Sequence, residues 1–122
     1  MFYMLDQNNS GGSFVVNDRL THRLFIEADS EQDAIAFAES LVCYWNGVEN
    51  GYDCECCGDR WYQYAREYNS EKMVKDWECE EVGTVEGYAQ YLADNYGHDC
   101  SPDARIFYKN GTVKEIFSNA SN

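Results

Sequence analysis

Two stretches of the chain repeat apolar residues at helical spacing. Ala34, Phe37, Ala38 and Leu41 fall at i, i+3, i+4 and i+7, one face of a helix. Ser30 stands where it can cap the first amides. Glu31 and Asp33 occupy the first turn, where the helix dipole favours negative charge. This spacing predicts a helix from residue 31 to about residues 42–44. Val85, Tyr88, Ala89 and Leu92 repeat the pattern and Tyr96 continues it, with Thr84 as a cap and Gly97 as a stop.

Elsewhere the apolar residues come in short β-branched and aromatic runs. FYML (2–5), SFVV (13–16) and RLFIEA (23–28) read as strands, with Asn17-Asp18 as the turn between the last two. WYQYA (61–65) reads as a further strand. ARIFYKNGTVKEIF (104–117) reads as a hairpin about Asn110-Gly111, a pair suited to a tight turn with positive φ. Residues 46–60, broken by Gly47, Gly51 and Gly58, form a loop. Residues 66–83 fit either a strand (MVKDWECEEV) or a short helix (SEKMVKDW). The order of these elements predicts an α+β fold: a mostly antiparallel sheet, two helices on one of its faces, and a cysteine-rich loop. One domain over residues 1–122 is expected, frayed from about residue 118, and parallel strand pairing is not.

Composition sharpens this picture. The 122 residues include 10 Tyr, 6 Phe and 3 Trp, more aromatic mass than disordered chains carry. No apolar run approaches the ~20 residues of a membrane span, and no basic segment precedes the first apolar stretch, so a cytoplasmic protein is expected. There are 22 acidic against 9 basic residues, a net charge of −13. Such a field opposes nucleic acid and anionic membranes and steers toward basic surfaces. From Asp76 to Ala104 there is no Lys or Arg, whereas Asp76, Glu78, Glu80, Glu81, Glu86 and Asp94 all fall in that run. These six are the candidate partner-binding residues; the plainer reading is an ordinary solvated face.

The chain also has six cysteines, three of them in Cys54-Glu55-Cys56-Cys57-Gly58. A C-x-x-C-G turn lets two thiolates reach one ion, and tetrahedral zinc needs four ligands. Cys43, Cys54, Cys56 and Cys57 are the nearest such set for a structural Zn2+, although adjacent Cys56 and Cys57 would strain to share one ion. Cys79, His98 and Cys100 lie farther along. The competing reading is of reduced thiols acting as small buried apolar groups. Disulfides do not suit a reducing compartment, and a redox C-x-x-C would open a helix rather than sit in a glycine-broken loop. No P-loop, G-x-G-x-x-G, H-E-x-x-H or G-x-S-x-G motif occurs. His22 and His98 read as hydrogen-bonding or surface histidines, and Asp53, Glu55 and Asp59 as a solvated rim around the cysteines.

MFYMLDQNNSGGSFVVND, RLFIEADS, CYWNGVENGYDCECCGDRW and YAQYLADNYG…PDARIFYKNGTVKEIF together resemble a group of small tailed-bacteriophage proteins. None of the motifs they share carries an agreed chemistry. The resemblance implies an accessory protein made in the host cytoplasm, of a kind that often binds and blocks a host enzyme or immune factor. With the charge, it leads to a non-enzymatic protein that occupies a basic or nucleic-acid-binding surface of a host protein. One alternative is a sponge for a nucleotide signal, whose phosphates would need some of Arg19, Arg23, Arg60, Arg66 and Arg105. The other is a small zinc-dependent enzyme.

Overall fold

The computed structural model describes residues 2–8, 14–41, 43–53, 55–56, 58–62, 65–67, 85–96 and 102–118. Its strands are β1 (Phe2–Asp6), β2 (Arg23–Glu27), β3 (Arg66–Glu67), β4 (Ala104–Phe107) and β5 (Val113–Ile116). The helices are α1 (Glu31–Ser40) and α2 (Val85–Tyr96). The strands form one sheet in the order β3-β1-β2-β4-β5. β1 pairs antiparallel with both β2 and β3, and β4 pairs antiparallel with β5. The fold is α+β with a mostly antiparallel sheet.

Two expectations about the layers are corrected. The central pair, β2 and β4, is parallel, with Leu24 opposite Arg105 and Ile26 opposite Phe107. Parallel neighbours need a long crossover, and the chain between them carries both helices. Moreover, the helices lie on opposite faces of the sheet. Tyr3, Leu5, Leu24, Ile26 and Phe107 pack with Ala34, Ile35, Ala38 and Leu41 of α1. The alternate strand residues Met4, Phe25, Ala104, Ile106 and Ile116 pack with Val85, Tyr88, Ala89, Leu92 and Ala93 of α2. Side chains alternate along a strand, so these two sets are the two faces of one sheet. Leu24, Phe25 and Ile26 are all buried because both faces are covered.

Local chemistry accounts for the elements. Ser30 caps α1, its Oγ accepting from the Asp33 amide at 3.1 Å. The buried stripe of α1 is turned toward Ile35, which leaves Phe37 on its flank, 40% exposed and edge-on to Phe107. In the β4–β5 hairpin Tyr108 N–H donates to the Thr112 carbonyl and Gly111 N–H to the Tyr108 carbonyl. Gly111 has φ 94°, and Asn110 is not in the positive-φ region. The turn therefore has three residues with a glycine bulge, rather than two positive-φ residues at Asn110-Gly111. The described residues of the expected strand 13–16 are irregular, as are 61, 62 and 65; the chain rejoins the sheet only at β3. Thr84, Gly97, and most of residues 66–83 lie outside the described residues.

At the end of the sheet where β2 and β4 begin, a buried polar cluster joins them. Asp103 is fully buried, and Arg23 Nη1 donates to its Oδ2 at 2.6 Å. His22 Nδ1 lies 3.7 Å from Oδ1, and the His22 ring stacks on Phe14. Burial opposes ionisation of Asp103, but the nearby His22 ring nitrogen and the Arg23 guanidinium outweigh it and lower its pKa. The cluster clamps the two parallel strands at their start.

Candidate functional site

The opposite end of the sheet carries the groove that stands out on the surface. β2 runs out through Ile26, Glu27 and Ala28 into the α1 cap, and the β4–β5 turn folds beside it. Between them lies a cleft of about 310 Å³. Its floor is apolar, made by Ile26, Ala28, Phe37 and Phe107, with Val113 at one side. Phe37 and Val113 are both substantially exposed. Large aromatic and aliphatic side chains left open to water are the groups that concentrate binding energy at interfaces.

The rim is acidic. Glu27, Asp29 and Asp33 line the cleft against a single base, Lys109. Glu27 is partly spent on the turn, accepting from the Lys109 amide at 2.8 Å. Asp29 accepts a hydrogen bond from Lys109 Nζ, which lowers the Asp29 pKa and raises that of Lys109. Asp33 is exposed, its backbone amide alone engaged by the Ser30 cap. α1 has no basic residue in its last turn, so Glu31, Asp33 and Glu39 extend this acidity along its exposed side.

The cysteine loop is held by carboxylates. Asp53 accepts from Tyr44 Oη at 2.7 Å and from the Arg60 amide at 2.8 Å. Asp59 Oδ1 accepts from the Val48 amide at 2.9 Å. The backbone then ties the loop to the end of β1, Asn8 N–H donating to the Arg60 carbonyl at 2.8 Å. Asp53 and Asp59 are thus structural acceptors and not a solvated rim. Gly47 lies against this network: an added Cβ would stand 1.8 Å from Asp53 Oδ2.

Of the four cysteines expected to hold zinc, Cys43 is buried in the α1-side core and Cys56 is exposed; Cys54 and Cys57 lie outside the described residues. Burial pushes the Cys43 thiol up to about 12, so a metal would itself have to draw off that proton. Among the described residues, no three His, Cys, Asp or Glu side chains gather as a metal-binding group. Of the six acidic partner-binding candidates, only Glu86 and Asp94 are described. Glu86 accepts from Lys114 Nζ at 2.7 Å and from Tyr108 Oη, and the Lys114 bond leads in lowering its pKa. Asp94 accepts from Gln90 on its own helix at 3.0 Å. Asp103, in the same base-free run, is core.

A family model described as a domain of unknown function (DUF7296) matches residues 1–121. The chain belongs to this family. No curated protein and no solved structure matches it.

The groove residues escaped the sequence reading for a physical reason. Glu27, Asp29 and Asp33 stand close together in a stretch without bases from Leu24 to Asp59, but only the packing of α1 past the hairpin sets them around an apolar floor.

Proposed function

We propose that this protein is a non-enzymatic binding protein that docks its acidic groove onto a basic surface of another protein. The observation that carries this reading is the groove itself: an apolar, partly exposed aromatic floor ringed by three carboxylates against one ammonium. The occupant this suits is a partner segment with an apolar anchor flanked by Lys or Arg. The anchor fills the cleft, and the flanking charges meet Glu27, Asp29 and Asp33. The net charge of −13 supports it by speeding encounter with a positive patch. Together with the resemblance to phage proteins, the reading is of an accessory product that blocks a nucleic-acid-binding face of a host defence protein in the host cytoplasm.

The test is co-purification from host lysate with the wild-type chain and with a Phe37→Ala/Asp33→Lys variant. A partner should be retained at about 0.1 M salt, where charges act over ~10 Å, and released near 1 M, where they act over ~3 Å. The variant should lose it at both. A partner held equally by the variant, or one indifferent to salt, overturns the groove as the docking surface.

A further inference from the structure

We infer that the partner segment is held as an added β-strand, pairing antiparallel with the free edge of β5 at the outer wall of the groove. This rests on the reading of the groove as a docking site and adds the conformation and sequence pattern of its occupant. β5 stands at one end of the five-stranded sheet. Among the described residues no strand pairs with its outer side, and Val113, Lys114 and Glu115 are all exposed.

The ladder with β4 fixes which main-chain groups point outward. Tyr108 N–H donates to the Thr112 carbonyl and Asp103 N–H to the Ile116 carbonyl, so Thr112 and Ile116 turn these carbonyls inward. Opposed residues of an antiparallel pair alternate between bonded and non-bonded, which turns Lys114 inward as well and Val113 and Glu115 outward. The N–H and C=O groups of Val113 and Glu115 are thus presented, at strand spacing, to whatever lies beside β5. A lysine on an edge strand can blunt it, but Lys114 is drawn onto Glu86 of α2 at 2.7 Å. An extended chain is the occupant that matches such a row of donors and acceptors.

The side chains on the α1 side state the chemistry of that chain. Val113 lines the groove opposite Phe107, and Glu115 stands opposite Arg105. Phe117 follows at the same spacing, half-exposed like Val113. Glu115 Oε2 accepts from Arg105 at 2.9 Å, and among the described residues nothing donates to its Oε1. Directly opposed residues in a sheet favour apolar against apolar and basic against acidic. The segment therefore alternates apolar, polar, basic, polar, apolar, with its base against Glu115 and its apolar residues against Val113 and Phe117. A second copy of the chain is the wrong occupant, because it brings another charge of −13.

Fluorescence anisotropy of a labelled, end-capped peptide TVTKTVT with the full chain tests this. N-methylation of its Val and Lys amides, which face β5, should weaken binding about tenfold or more. N-methylation of its Thr amides, which face away, should leave binding unchanged. Phe117→Ala should weaken the parent peptide about two- to fivefold, and Glu115→Gln should narrow the preference for Lys over Glu at its centre. Sedimentation of the chain alone should show a monomer. The Phe37→Ala/Asp33→Lys variant separates this inference from the groove reading. Wild-type binding by that variant, with the two methylated peptides still differing, removes the groove and keeps the added strand. Loss of binding by that variant, with the two methylated peptides alike, keeps the groove and removes the strand. No binding of the parent peptide, wild-type behaviour of both Phe117→Ala and Glu115→Gln, or a dimer that Phe117→Ala dissolves, also overturns the strand.

Discussion

Asp103 shows what a single side chain decides in this protein. It lies in the base-free run, yet it is fully buried and clamps β2 to β4 beside Arg23 and His22. Removing one member of a buried charge pair strands the other, so Asp103→Asn should cost about 3–5 kcal/mol in urea unfolding. The acid response follows from the direction of its shift. The folded pKa lies below the ordinary 3.8, so the contribution to stability is complete above about pH 4. It fades as pH falls through that value toward the lowered one. Unfolding free energy measured down to pH 2 should drop more gently in Asp103→Asn than in wild type; parallel curves would place the acid sensitivity elsewhere.

Among the elements, the two glycine-bearing turns differ in what constrains them. Gly111 needs its conformation and has open space around it, with φ 94° and nothing within 4 Å of an added Cβ. Gly111→Ala should therefore cost about 1–2 kcal/mol from backbone strain alone. Gly47 has the reverse problem. A methyl group there collides with Asp53 and with the Tyr44 ring, at 1.8 and 2.8 Å. Gly47→Ala should displace Asp53 from Tyr44 and Arg60 and loosen the cysteine loop. Hydrogen exchange then reads faster exchange confined to residues 44–61, where Gly111→Ala shows none. Equal, molecule-wide effects of the two variants would contradict the roles given to these turns.

At the scale of the whole molecule, charge is the dominant feature and its distribution is uneven. Three carboxylates are matched with arginines: Asp103 with Arg23, Asp53 with Arg60 and Glu115 with Arg105. Among the described residues, Glu31, Asp33 and Glu39 on α1 and Glu27 on the groove rim have no ion-pair partner. A chain carrying −13 repels itself, and salt screens that repulsion more than it weakens the buried pairs. The unfolding midpoint should rise as salt goes from about 0.01 M to about 0.15 M, as the screening length falls from ~30 to ~8 Å. A falling midpoint would show that exposed ion pairs outweigh the repulsion.

Local pattern alone determined β1, β2, both helices, the Ser30 cap and the hairpin, because these depend on spacing and on neighbours a few residues away. The same is true of the fold class and the surplus of acid. Long-range closure decided the rest. Whether α2 covers the α1 face or the other one depends on which side of the sheet the chain crosses, and no helix periodicity encodes that. RLFIE and ARIF did hold a trace of the answer, being apolar without strict alternation, as strands buried on both faces are. The acids of the groove rim are neighbours in the chain, but the apolar floor they surround belongs to the tertiary structure. That floor joins residues from distant segments, and a side chain's exposure or pairing is set by what packs beside it, not by its neighbours along the chain.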